Sequence, residues 1–325
     1  MAPRRRKGKS FKGRAYPTAR TIGTGSSFAK KPWWDSDWWL LDKEGHNRDI
    51  ACDVGTVGDL AVAAASVRGN RHRLSGQRCE DSFCVTTGTT AEEELFVVIA
   101  IGDGLGSDGS PYSAYGSKRV TYLFANKLTS WFSAASEIVS EAFVEASEEV
   151  IEEVRNAVKS WTPDDYLAPT ETPADADPAN FDTTLTFAVL PARTAAAEQP
   201  RTVLWGTIGD SPIFKLSAQG WEMVSTAEDG EILDSATRTL YSATEILHGE
   251  TELTNDEVLV LTTDGVSDFL MDSGKTLAVG ADLAERWQRP VRIESFVSDL
   301  MFDFITADDD RTAVVCWPDR TRRRN

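Results

Sequence analysis

Cysteine and histidine are scarce in this chain, and their spacing excludes several chemistries. Cys52, Cys79, Cys84 and Cys316 show no CxxC pairing, which argues against a zinc ribbon or a thioredoxin-like redox motif. Reduced thiols in a cytosolic protein are the expectation. His46, His72 and His248 are too few and too scattered for an imidazole-based zinc site. No apolar run approaches the roughly 20 residues of a membrane span. No apolar stretch follows the basic start either, so no secretory leader is expected. Charge is unevenly distributed along the chain. The net charge is −17, yet residues 1–31 carry about ten Lys or Arg and no acid by direct count. The rest is therefore strongly acidic and repels nucleic-acid phosphates. Only the basic tail offers a route to nucleic acid or to an acidic partner.

A hydrophobic content of 41% over 325 residues allows one large domain with a real core, or two small ones. The composition predicts a disordered basic tail over 1–31. Four of the ten tryptophans, Trp33, Trp34, Trp38 and Trp39, follow closely. Such a segment is rarely left in water, so an arm over 32–57 is expected to pack on the body. One domain is expected over 58–318, and a basic tail over 319–325.

Within that domain, strands are expected at 60–67, 82–86, 95–101, 183–190, 202–208, 213–216, 221–224, 258–261 and 312–317. Residues 68–76 read as a Gly- and Arg-rich loop, and 228–255 as irregular. Apolar residues at helical spacing, Val139, Phe143, Ala146, Val150, Val154 and Val158, alternate with a Glu-rich face. Two helices over 110–160 with a break near 133–136 account for this pattern, and two more are expected at 276–288 and 291–305. Strands, helices, strands, helices and a final strand do not make a regular βαβ alternation. They suggest an α+β sandwich of antiparallel sheets with helices outside.

Acidic residues recur at the ends of these strands: Glu80-Asp81, Asp103-Gly104, Asp210, Asp264-Gly265 with Asp268, and Asp309-Asp310. A strand end fixes backbone direction, so carboxylates from distant parts of a chain can meet there. Oxygen ligands of this kind suit Mg²⁺ or Mn²⁺. Asp-Gly is also a common turn, and Asp210-Ser211 reads more readily as one.

Read in order, Arg78-Cys79-Glu80-Asp81-Ser82-Phe83, Ile101-Gly102-Asp103-Gly104, Asp182-Thr183-Thr184, Gly209-Asp210-Ser211, Thr263-Asp264-Gly265-Val266-Ser267-Asp268 and Asp309-Asp310-Arg311-Thr312 resemble the motifs of the PPM/PP2C metal-dependent protein phosphatases, in their bacterial branch. The resemblance covers roughly 58–317. It implies a four-layer αββα sandwich and hydrolysis of phosphoserine or phosphothreonine by a metal-bridging hydroxide. It also implies two Mn²⁺ or Mg²⁺ ions, held by Asp103, the Gly104 carbonyl, Asp264 and Asp309, with Glu80 reaching a metal and Asp81 orienting a water. Asp268 would help to hold a third ion, with Asp177 or Asp182 as partner. The implied partners are a phosphoprotein substrate and a cognate Ser/Thr kinase, in the cytoplasm.

Three positions depart from the family pattern. Leu105 stands where many members have a histidine proposed to protonate the leaving group. The acid would then be a metal-bound water, His72 or nothing, and His72 is otherwise simply a solvated loop residue. The family's phosphate-binding arginine is displaced, which leaves Arg73 or Arg71 as the fork to phosphate. Asp310 replaces an asparagine. These departures, together with the Trp-rich arm, leave an alternative: an inactive regulatory scaffold that binds a kinase or phosphoprotein.

Overall fold

The computed structural model describes residues 50–105, 112–161, 178–193, 199–225, 238–304 and 306–318. In chain order the elements are β1 (Ile50–Val57), β2 (Leu60–Val67), α1 (Asn70–Ser75), β3 (Ser82–Thr89), β4 (Leu95–Gly102), α2 (Ser113–Ala134), α3 (Ser140–Val158), a 3₁₀ turn (Pro178–Phe181), β5 (Leu185–Pro191), β6 (Arg201–Ile208), β7 (Ile213–Ser217), β8 (Gly220–Met223), β9 (Leu247–Leu253), β10 (Val258–Thr262), α4 (Asp264–Ser267), β11 (Met271–Asp272), β12 (Lys275–Thr276), α5 (Ala278–Trp287), α6 (Ile293–Leu300) and β13 (Arg311–Trp317). One sheet runs β1-β2-β13-β10-β7-β8 and the other β3-β4-β5-β6-β9, with a small β11-β12 ribbon apart.

The alternation of side chains along each strand builds the layers. On β4, Val97, Ile99 and Ile101 face inward with Leu60, Val62 and Ala64 of β2 and Val314 and Cys316 of β13, which makes the core between the sheets. Phe96, Val98 and Ala100 face the other way, onto Phe124, Leu128, Phe143 and Val150 of α2 and α3. Ala63, Ala65 and Val67 of β2 and Val315 of β13 pack outward on Leu283, Trp287, Phe296 and Leu300 of α5 and α6. The result is the expected α+β sandwich, with both faces of the central strands buried. That is why these strands read as nearly continuous apolar runs. At one end the sheets are tied by a buried bidentate pair, Arg201 to Asp59 at 3.1 and 2.8 Å.

Residues 50–57, the end of the arm expected to pack on the body, form β1, paired in register with β2 from Ile50↔Val67 to Val57↔Leu60. Two local expectations are corrected. Residues 70–75 form α1 rather than a loop, closed by Gly76 in the left-handed region at φ 74°. Leu247–Leu253, inside the stretch read as irregular, is the edge strand β9, paired with β6. The rest of the arm and both basic tails lie outside the described residues.

Candidate active site

Antiparallel pairing brings the acidic motifs to one end of the sandwich. Ser82 opens β3 directly across from Gly102 at the close of β4, so Asp81 and Asp103 become neighbours. In the other sheet Thr262 pairs with Ala313, which sets Asp264 beside the 309–311 segment. Val67 pairs with Arg311, so the chain leaving β2 enters α1 at this same end. Glycines permit the close approaches. A Cβ on Gly265 would lie 1.9 Å from the Asp310 carbonyl oxygen, and one on Gly104 would lie 2.8 Å from that of Glu80.

Asp103, Asp264 and Asp81 form the centre. Burial, then the charges of Asp81 and Asp264, push the Asp103 carboxyl well above the usual range, and it hydrogen-bonds to Asp264. Asp264 is raised to about 6, by burial and by the charges of Asp309, Asp210 and Asp268, against the relief of the Asp103 bond. Each carboxyl disfavours the charged form of the other, because like charges so close ionise together only with a counter-charge. Asp81 is raised well above its ordinary value by burial and then by Asp310, partly offset by a hydrogen bond from Thr263 Oγ1 at 2.7 Å. Thr263 Oγ1 also accepts from the Thr312 backbone N–H at 3.0 Å. Asp103 is tethered by its backbone: its N–H donates to Thr184 Oγ1 at 2.9 Å, and its carbonyl accepts from Thr183 Oγ1 at 2.8 Å.

A second group lies behind Glu80. Asp310, only 3% exposed, accepts from the Gly69 N–H at 2.6 Å through one oxygen. Its other oxygen meets the Glu80 N–H at 2.6 Å and His72 Nδ1 at 2.9 Å. Burial works against charge on His72, but the Asp310 bond and the surrounding carboxylates outweigh it and raise the imidazole's pKa. Burial likewise opposes the Asp310 charge, while His72 and the two backbone N–H groups hold that carboxyl below its ordinary value. Each thus favours the charged form of the other. His72 Nε2 faces Glu80 Oε2 at 3.8 Å. Both atoms are buried without a hydrogen-bond partner among the described residues. Burial foremost, and the Asp310 charge, raise the Glu80 pKa against the effect of His72.

His72 is 2% exposed, so the reading of it as a solvated loop residue is corrected, and its contact is with carboxylates. Arg73 is nearly as buried. Arg71, by contrast, is 57% exposed and pairs with Asp309 Oδ2 at 3.1 Å. Burial, then Asp210 and Asp309, raise the Asp268 pKa. Asp210 lies in the turn between β6 and β7, and its charge acts on both Asp264 and Asp268. Asp182 is occupied elsewhere: it accepts from Thr239 Oγ1 and from the backbone N–H groups of Thr183 and Tyr241. Asp177 lies outside the described residues.

Sequence reasoning missed the groups that hold this arrangement. Ser117 of α2 donates to the Glu80 carbonyl. Arg311, buried, donates to the carbonyls of Leu300, Phe302, Ala307 and Asp309, and so braces the segment that carries Asp309. Thr183, Thr184, Thr263 and Arg311 lie inside quoted motifs, so their positions were visible though their bonds were not. Nothing in the sequence marks Ser117.

Among the described residues no three His, Cys, Asp or Glu side chains form a ready-made metal shell. The cluster nevertheless fits a hard divalent cation. It offers oxygen donors, its crowded carboxylates call for positive charge, and Glu80 Oε2 is buried without a hydrogen-bond partner among the described residues.

A family profile described as Protein phosphatase 2C matches residues 68–300. Comparison with curated proteins gives no match. Among solved structures, similarity extends to RsbX in complex with magnesium, at 16% identity over 82% of this chain and 98% of that one, with a TM-score of 0.48. The serine/threonine phosphatase Stp1 from Staphylococcus aureus is 14% identical over 82% and 96%, TM-score 0.48. The catalytic domain of the serine threonine protein phosphatase PstP in complex with 2 manganese ions is 18% identical over 79% and 97%, TM-score 0.48.

Proposed function

The chain belongs to the protein phosphatase 2C family, and on that premise we propose that it is a divalent-metal-dependent phosphatase of phosphoserine and phosphothreonine in proteins. The observation that supports this reading is that antiparallel pairing brings Asp81, Asp103 and Asp264 from separate strand ends to one end of the sandwich, where the charge of Asp309 acts on all three. Asp103, Asp264, Asp309 and the Gly104 carbonyl would hold Mn²⁺ or Mg²⁺, with Glu80 and Asp268 at the margins. When bound, the cations acidify a water and screen the phosphate oxygens.

The chain's own residues then have separable tasks. Asp81, fixed by Thr263, orients the attacking water in line with the scissile bond. Arg71 is the better candidate for the phosphate fork, because it is exposed beside Asp309 while Arg73 is buried. A guanidinium can turn from a carboxylate to a phosphate without losing charge-assisted bonds. His72, enclosed by Asp310 and Glu80, is poorly placed to protonate a leaving group, so that proton falls to water.

Hydrolysis of p-nitrophenyl phosphate and of a phosphoserine peptide, with Mn²⁺ and with EDTA, tests the reading. Turnover should require the metal and disappear in Asp103→Asn and Asp264→Asn. Turnover that survives both substitutions would sink the site assignment. The scaffold reading draws on the engagement of Arg71 by Asp309, and it requires that calorimetry find no Mn²⁺ binding tighter than about millimolar.

A further inference from the structure

Asp310 does something an asparagine could not do at this position. Both of its carboxylate oxygens accept: one from the Gly69 N–H, the other from the Glu80 N–H and from His72. An amide would turn one of those oxygens into an NH₂ group aimed at another N–H donor, and a buried donor would lose its partner. The three donors belong to different pieces of the site: the turn after β2, helix α1, and the residue that opens the acidic pair before β3. His72 adds a second link. Its Nδ1 lies on Asp310 and its Nε2 stands 3.8 Å from Glu80 Oε2. Glu80 is therefore held at its N–H by Asp310 and at its carbonyl by Ser117, with its carboxylate beside His72 and Ser113.

We propose that His72 and Asp310 form a positioning clamp that fixes Glu80 toward the metal site, so that the histidine and the aspartate act as one matched unit through Glu80. The function of the clamp rests on the metal-dependent reading above. Its existence rests only on the bonds just named. His72 is a positioning residue here, since it reaches the reacting groups only through Glu80.

The geometry of imidazole separates the two links. In His72→Asn the amide nitrogen takes the place of Nδ1 and keeps the bond to Asp310. His72→Leu removes both links. Calorimetry of Mn²⁺ binding to the full chain should show a loss of about tenfold in affinity for His72→Leu and for Asp310→Asn, the range typical of groups that orient a metal ligand. His72→Asn should recover most of that loss. The double variant His72→Leu/Asp310→Asn should be no worse than the weaker single one, because both break the same unit. At saturating Mn²⁺ the residual defect should fall on kcat, with KM for p-nitrophenyl phosphate unchanged.

Amide hydrogen exchange at Gly69 and Glu80 reads the clamp without metal or activity, and both should exchange faster in His72→Leu. If Asp310→Asn does not fold, the Leu and Asn variants at position 72 carry the test alone. Unchanged exchange and unchanged Mn²⁺ affinity in His72→Leu would overturn the clamp, as would additive losses in the double variant. Wild-type protein that takes up no Mn²⁺, while His72→Leu still accelerates exchange, would overturn the metal-dependent reading and with it the clamp's function, but leave its geometry standing.

Discussion

Asp264 shows the tension built into the site. Its carboxyl is raised to about 6 by burial and by the neighbouring carboxylates, so in the absence of a cation it is a liability to the fold. Asp264→Asn should therefore raise the melting temperature in EDTA by a few degrees, while the rise produced by Mn²⁺ in the wild type should vanish. Calorimetric scans with and without the metal check both halves. Thr263 acts more narrowly. Thr263→Val keeps the shape but removes the donor to Asp81 and the acceptor for the Thr312 N–H. A hydrogen bond to a charged group contributes about 1.5–3 kcal/mol, so kcat should fall roughly ten- to a hundredfold, with KM little changed in steady-state kinetics. The carboxylates were legible in the sequence because they sit beside apolar runs that end abruptly. The groups that hold them were not, because their bonds join residues far apart in the chain: Thr263 to Asp81, Ser117 to Glu80, His72 to Asp310. The burial of His72 is likewise a tertiary fact, and its local sequence is polar.

The elements were readable wherever one period dominated. Phe143, Ala146, Val150, Val154 and Val158 form the buried stripe of α3, and the break between α2 and α3 falls where serines and alanines replace the apolar pattern. Strands β2, β4, β10 and β13 announce themselves because both of their faces are buried. β1 and β9 did not, because each is an edge strand, β1 mostly exposed and β9 mostly half-buried, so neither the run nor the alternation is apolar. α1 is too short to show a helical period. The segment before β13 shows how much an irregular element depends on one side chain. Arg311 spans four carbonyls there and stacks on Phe302 at 4.8 Å. Lysine keeps a charge but not the planar fork. Arg311→Lys should lower Mn²⁺ affinity about tenfold through a displaced Asp309, and it should also lower the melting temperature. Titration calorimetry beside a thermal scan separates the two effects.

Across the whole molecule, charge and metal are coupled through pH. A carboxyl whose folded pKa is raised contributes stability that is fully present below its unfolded value, near 3.8, and is lost as pH rises through the folded value, about 6 for Asp264. Asp81 and Asp103 shift in the same direction. His72, raised from 6.5, also loses its contribution as pH rises through its folded value. His248 works the other way: burial lowers its pKa, so its neutral form favours the fold above 6.5 and that contribution is lost as pH falls. Several groups oppose one, so the melting temperature in EDTA should fall between pH 5 and pH 8. Mn²⁺ requires ionised carboxylates, so the stabilisation it gives should grow over the same interval. At a hundredfold excess over its Kd a ligand contributes about 2.7 kcal/mol, which acts against the trend. The central claim is that this carboxylate cluster hydrolyses phosphoserine only with a divalent cation. The most direct test is turnover of a phosphoserine peptide as Mn²⁺ is titrated into metal-free wild-type protein and into Asp103→Asn. The account predicts saturable activation of the wild type and none of the variant. Equal turnover by both, or turnover that ignores the metal, would contradict it.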